Sequence, residues 1–347
     1  RNRRPARHTR RMGEMSAPFW TGHAEPAGEY STREEWLALR RTGIGSSDAS
    51  AILGMSKYAS LWSVWLDKTG RAKDEPESEA MMWGKLLEPV IRDELARRLG
   101  VAIVESPTLR SLARPWQLYS PDGLIPSLGA VVEIKNASAW LTHEWDDEIP
   151  DHAELQCQHG MAVTGADGAY VAGLIGGNRL RYEYVPRDER LIDILVAAEQ
   201  HAWETYVLGD AEPPIDGSDA TAEAIAQRWP RRAGVTAQAA DEGAVRRAVR
   251  DYQGAAQAEK DAKAAKSRAT NELNALMAGA DVLVDAQGRK LVARKGGQLR
   301  EKQFIDDLDG APEWLHKVEK VDRDRLKAED PELYRKYQAT SIYIPKG

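Results

Sequence analysis

Hydrophobic positions along the chain follow two periods, and the change from one to the other outlines the elements. Trp83, Leu87, Ile91, Leu95 and Leu99 recur every four residues and predict a helix over 81–99. Pro89 interrupts that run, so a kink or a fresh helix start is expected there. Shorter helical patterns cover 32–41, a stretch starting near Ser47, 152–164 and 189–208. The first of these carries Thr32 followed three residues later by Glu35, a capping-box pattern. Alternation takes over at 130–135, where Val132 and Ile134 face one way and Val131, Glu133 and Lys135 the other. Residues 101–104, 109–112, 124–125, 169–174 and 180–185 read as further strands, the last two flanking Gly176-Gly177-Asn178. The mixture predicts an α/β fold.

Beyond residue 210 the pattern changes. Asp210 to Gly217, with Pro213 and Pro214, reads as a boundary. The expected organisation is a basic arm at 1–29, a main domain at 30–212, a linker at 213–237 and a second part at 238–347. Residues 1–15 of the arm carry six arginines and little that is apolar, so the arm is expected to be disordered. In the second part, 238–277 reads as one long Ala-, Lys- and Glu-rich helix. Its apolar seam runs through Val245, Ala248, Tyr252, Ala255, Ala269, Leu273 and Leu276 but is broken by Glu259 and Lys266. Such a seam makes a poor coiled coil and suits an arm packed on a small partner. A hairpin follows at 282–284 and 290–293, with a third strand expected at 341–344. Arg294, Lys295, Arg300 and Lys302 form a charged patch that could face DNA but reads better as a solvated face.

With 347 residues, two domains and a substantial core are affordable. One cysteine, Cys157, excludes a disulfide framework and any metal site built from several cysteines. No apolar run is long enough for a transmembrane helix and no secretory signal is visible. These features lead us to expect the cytoplasm of a bacterial host cell. Net charge is −6, so any polyanion would have to bind a local basic patch.

Candidate chemistry sits at Ser120-Pro121-Asp122-Gly123 and at Glu133-Ile134-Lys135. Proline, Asp and Gly make the first stretch a turn that can return Asp122 beside the Glu133 face. Two carboxylates and a lysine suit Mg²⁺-assisted phosphodiester hydrolysis. The same spacing also describes a surface hairpin with an ion pair. Upstream, Arg40-Arg41 and Ser46-Ser47 before a helix could bind a phosphate, or the serines could simply cap the helix. Glu88 lies beside Gly84 and Pro89; a single helical Glu more often faces solvent. Gln156 and Gln158, two apart, cannot face the same site from one helix.

Taken together, Arg40-Arg41…Ile44…Ser46-Ser47-Asp48, Trp83-Gly84-Lys85…Glu88, Ser120-Pro121-Asp122-Gly123-Leu124, Glu133-Ile134-Lys135 and Gln156…Gln158…Met161-Ala162-Val163-Thr164 resemble the YqaJ-type viral recombinases and the phage lambda exonuclease. These belong to the restriction-endonuclease-like PD-(D/E)xK nucleases. The resemblance spans about residues 30–208. It implies a restriction-endonuclease-like core, a mixed sheet flanked by helices, to which the residue pattern beyond it adds a C-terminal helical arm and a small β-hairpin. It also implies 5′→3′ digestion of linear double-stranded DNA, leaving 3′ tails for recombination by strand annealing. By match of position, Asp122, Glu133 and the Ile134 carbonyl would bind one or two Mg²⁺ ions, with Mn²⁺ as substitute. Glu88 would help hold a second ion or its water. Lys135 would stand near the attacking water, and Gln156 would line the site. Arg40, or Arg41, with Ser46, Ser47 and Ser120 would hold the 5′-phosphate. Expected partners are a single-strand annealing protein and further copies forming a ring, with no membrane. The alternatives are an endonuclease of the same fold acting in DNA repair, and a non-catalytic DNA-binding assembly module.

Overall fold

The computed structural model describes residues 18–73, 78–146, 148–232, 234–294 and 328–329. The chain divides into two units, Arg1–Ala233 and Gly234–Gly347. In the first, the elements run β1 (Ala24–Pro26), α1 (Arg33–Arg40), β2 (Ile44–Gly45), α2 (Ser46–Ile52), α3 (Leu61–Lys68) and α4 (Glu79–Leu99). They continue with β3 (Leu109–Ser111), β4 (Gln117–Tyr119), β5 (Gly123–Ile125), β6 (Ala130–Ala137) and α5 (Asp151–Thr164). The last are β7 (Gly168–Ile175), β8 (Arg179–Pro186), α6 (Glu189–His201) and α7 (Asp219–Arg228). Helix α6 runs on as a π-helix over Ala202–Leu208.

The main sheet has the order β5-β6-β7-β8. Its centre is a parallel pair, β6 with β7, and both outer pairs are antiparallel. A central parallel pair is covered on both faces, which is why β6 buries nearly every side chain rather than every second one. Val132 and Ile134 pack with Ile91 and Leu95 of α4. Val131 packs with Cys157 and Met161 of α5 on the opposite face. This mixed sheet between helices is the α/β core that the sequence pattern and the resemblance led us to expect. A second sheet, β1-β3-β4-β2, adjoins it. Helix α5 lies close to β4 because residue 160 is glycine. A Cβ there would come within 2.5 Å of the buried Tyr119 ring.

Several local expectations change. Helix α4 does not restart at Pro89 but runs unbroken to the left-handed Gly100. Proline cannot donate to the Lys85 carbonyl, but that turn borders an open cavity where water can replace the bond. Residues 101–104 make no strand; only Val104 bridges Leu124, and the Val101 N–H instead bonds the Ala96 carbonyl. Residues 24–26 of the expected disordered arm form β1, paired with β3. Within the expected linker, α7 packs Ala224 and Ile225 against Trp62, Trp65 and Leu66. The Trp62 indole also donates to the Pro213 carbonyl at 3.0 Å.

The second unit contains α8 (Glu242–Met277) and an antiparallel hairpin of β9 (Val282–Val284) and β10 (Lys290–Ala293). Asp241 caps α8, whose only buried residue is Met277. The arginines of residues 1–15, the strand expected at 341–344, and Lys295, Arg300 and Lys302 lie outside the described residues. Among the described residues, no helix is long and apolar enough to cross a membrane.

Candidate active site

Strand β6 puts Glu133 and Lys135 on its α5 face. Lys135 Nζ donates to Glu133 Oε1 at 2.5 Å and also bonds Gln156 Oε1 of α5. Gln156 reaches this point because α5 turns about 100° per residue. Gln158 points away, donating to the Pro186 carbonyl and accepting from the Asp188 N–H.

Asp122 stands in the turn just before β5. Strand β5 ends its pairing at Gly123 opposite Val132, so the next outward-facing backbone group on β6, the Ile134 N–H, is left for a side chain. Asp122 Oδ2 accepts it at 2.6 Å. The N–H and C=O of one strand residue project toward the same edge. The Ile134 carbonyl therefore opens on the Asp122 side, beyond the last β5 pair. Arg92 of α4 fixes the turn from outside by donating to the Asp122 carbonyl at 2.9 Å.

Burial is the main cause that pushes the Asp122 carboxyl well above its ordinary range, and the Glu133 charge adds to it. Burial also raises Glu88, with Arg92 opposing and Glu133 reinforcing the shift. Burial would lower Lys135, but Glu133 outweighs it, so the ammonium is held above its ordinary value. Carboxylates crowded in this way bind a hard divalent cation readily, because the ion removes their mutual repulsion. Among the described residues, no three His, Cys, Asp or Glu side chains are grouped as a cage for a metal ion. The donors here are two carboxylates and one carbonyl. That set fits Mg²⁺, which keeps several of its waters.

Asp122, Glu133, Ile134, Lys135 and Gln156 line a cavity of about 270 Å³. Arg40, Ser46, Ser47 and Ser120 also stand on its wall. The candidate metal donors and the candidate phosphate-binding groups thus line one cavity. Arg40 Nη2 donates to Ser47 Oγ at 3.0 Å and to Asp48 Oδ1 at 2.9 Å. Neither serine caps α2. Gly45 is the N-cap, and Asp48 accepts its N–H at 2.8 Å, which leaves both hydroxyls on the cavity wall. Arg41 is not part of that wall; it lines a separate cavity and bonds Asp67. Glu88 is also outside the smaller cavity. It faces a larger one of about 830 Å³, which Asp122 and Ser120 border as well.

The sequence reading gave no role to four contributors. Trp36 borders both cavities, and its ring lies 5.7 Å from the Arg40 guanidinium. Thr108 bonds the Ser120 hydroxyl at 2.9 Å. Asp48 and Lys68 meet behind Arg40, with Lys68 Nζ 2.7 Å from Asp48 Oδ2. Asp48 directly follows the serine pair and could have been suspected; Lys68 lies in an apolar stretch that gives no signal.

A carboxylate–lysine strand end in a mixed α/β core defines a class, and comparison with known proteins narrows it. Residues 35–167 match the YqaJ-like viral recombinase domain. It is 40% identical over 203 residues to the YqaJ protein of Bacillus subtilis, covering 57% of this chain and 64% of that one. A protein of African swine fever virus is 36% identical over 144 residues, covering 40% of this chain and 42% of its own. The chain therefore spans less than two thirds of the length of the curated relatives it matches. Among solved structures, an alkaline exonuclease from Laribacter hongkongensis aligns at 22% identity. The alignment has a TM-score of 0.44 and covers 51% of this chain and 93% of that one.

Proposed function

We propose that this protein is a Mg²⁺-dependent exonuclease that digests linear double-stranded DNA 5′→3′, with Mn²⁺ able to substitute. The 3′ tails it leaves would serve phage homologous recombination by strand annealing, in the cytoplasm of the host cell. The observation that carries this reading is that one cavity is lined by Asp122, Glu133, Lys135 and Gln156 together with Arg40, Ser46, Ser47 and Ser120. An enzyme that works from an end needs its cutting groups at a fixed reach from a group that grips that end.

Asp122, Glu133 and the Ile134 carbonyl would hold the cation, with Glu88 near enough to the same turn to serve a second ion or its water. Mg²⁺ bound there supplies Lewis-acid polarisation of the scissile phosphate and lowers the pKa of the attacking water. Lys135, kept protonated by Glu133, acts as a donor: it orients that water and offsets charge that builds on the phosphate. Gln156 holds the ammonium in place. Arg40 and the three serines take the terminal 5′-phosphate through charge-assisted hydrogen bonds. A single-strand annealing protein and a ring of like subunits complete the reading. Encirclement would let modest basic surface per subunit retain DNA.

The test compares linear duplex with covalently closed circular duplex of the same sequence, with and without Mg²⁺. Digestion of the linear form alone, and only with Mg²⁺, is expected. Cutting of the closed circle would favour an endonuclease instead.

A further inference from the structure

Helix α3 sends a lysine into an apolar setting. The Lys68 side chain is 0% exposed, on a helix that also buries Trp62, Val64, Trp65 and Leu66. An ammonium placed there without partners would be strongly unfavourable, so its contacts define its role. Nζ lies 2.7 Å from Asp48 Oδ2 and donates to the Arg40 carbonyl at 3.1 Å. The other Asp48 oxygen faces Arg40 Nη2 at 2.9 Å. One carboxylate thus stands between two cations. Arg40 lines the cavity; Lys68 and Asp48 lie behind it.

We infer that Asp48 and Lys68 are positioning residues of the 5′-phosphate pocket. Asp48 orients the Arg40 guanidinium, and Lys68 offsets the Asp48 charge so that Arg40 presents its full positive charge to the DNA end. This rests on reading the cavity as the site for a terminal phosphate.

The electrostatics follow from charge and distance. An Arg–Asp pair alone is neutral overall, and a phosphate approaching the arginine is repelled by the carboxylate behind it. With Lys68 on the far side of Asp48, the triad carries a net positive charge. Asp67, 3.7 Å from Arg40 Nε, does not cancel it, because Arg41 sits 3.4 Å from the same carboxylate and brings its own charge. Burial would raise the Asp48 carboxyl, but Lys68 and Arg40 outweigh it and hold it far below the usual carboxylate range. Asp48 therefore stays ionised, and its remaining bond to the Gly45 N–H fixes the turn that presents Ser46 and Ser47.

The experiment uses duplex DNA ending in a 5′-phosphate or a 5′-hydroxyl. Binding is measured in EDTA, and the ratio of kcat/KM for the two ends is measured in Mg²⁺. Lys68→Met removes the charge at similar volume; Lys68→Gln keeps a donor toward Asp48 but no charge. Both are expected to lower the preference for phosphorylated ends by about tenfold, mainly through KM. That is the size of one charge acting across about 12 Å at an effective dielectric near 20. The double variant Asp48→Asn, Lys68→Met removes both charges of the buried pair and is expected to recover most of the preference, which a collapsed fold would not. Single variants that keep the parent preference, or a double variant no better than Lys68→Met, overturn the inference. A parent that does not distinguish the two ends overturns the phosphate reading itself. A preference lost in Arg40→Ala but intact in Lys68→Met overturns the positioning role alone.

Discussion

Lys135 Nζ and Glu133 Oε1 lie 2.5 Å apart on the same face of one strand, and Gln156 closes on the lysine from the helix above. The lysine is therefore held from two sides before any substrate arrives. Gln156→Ala removes one of the two holds without changing a charge. We expect kcat to fall by about 100-fold with little change in KM, the cost of letting a reacting group drift by roughly an ångström. Steady-state kinetics on linear duplex check this; an unchanged kcat contradicts it.

Asp122 bears on stability as well as chemistry. Burial, reinforced by Glu133, raises its carboxyl well above the ordinary 3.8. The folded state thus holds the proton more tightly than the unfolded state. Ionisation costs stability as pH rises through 3.8 toward the folded value. In metal-free protein at neutral pH, Asp122→Asn should raise Tm, by about 2–4 °C per kcal/mol recovered. The amide oxygen can still accept the Ile134 N–H. Added Mg²⁺ should raise the Tm of the parent and leave that of the variant nearly unchanged. A metal-free variant that melts below the parent counts against this assignment.

The proposed phosphate pocket gives a separate expectation. Arg40→Ala should lose the preference for 5′-phosphorylated over 5′-hydroxyl ends, by about tenfold to a hundredfold. Mg²⁺ binding, measured by calorimetry, should persist because Arg40 is not among the proposed donors. Identical digestion of both ends by parent and variant, at the same ratio, would remove Arg40 from the pocket.

A pH effect arises away from the site. His159 Nδ1 meets Glu199 Oε1 at 2.7 Å, and Nε2 meets the Leu118 carbonyl at 2.8 Å. A carboxylate and a carbonyl beside the two ring nitrogens favour the protonated ring, which donates from both. Burial would lower its pKa, but Glu199 and the Leu118 carbonyl outweigh burial and raise it above 6.5. The stability it contributes is complete below 6.5 and is lost as pH rises through the folded value. Parent Tm should decline above that pH. His159→Gln should melt lower at about pH 6 and lack that part of the decline. Equal slopes in thermal melts across the range would contradict the charged pair.

Much of the core could be read from periodicity, and the limits are physical. Alternation along 130–135 placed Glu133 and Lys135 together and opposite Ile134, and the helical turn separated Gln156 from Gln158. The Pro-Asp-Gly turn announced the return of Asp122. What escaped depended on contacts distant in sequence. Helix α7 is short and its buried residues are Ala220, Thr221 and Ala224, so it gives little amphipathic signal until the Trp62–Trp65 pair supplies its partner surface. Arg40 and Arg41 were both open in the sequence because neighbours on a helix differ by only about 100°; in the fold Arg40 lines the cavity and Arg41 a separate one. Lys68 could not be recognised at all, since nothing near it in sequence shows that Asp48 waits beside it.

The decisive assay uses linear duplex labelled at the 5′ or the 3′ terminus, digested with and without Mg²⁺ by the parent and by Lys135→Ala. The expected result is early release of the 5′ label as mononucleotide, dependent on Mg²⁺ and reduced in the variant by about 10²–10⁴-fold. Early release of the 3′ label would contradict the polarity. Release that is equally fast in Lys135→Ala would contradict the placement of the active site on β6.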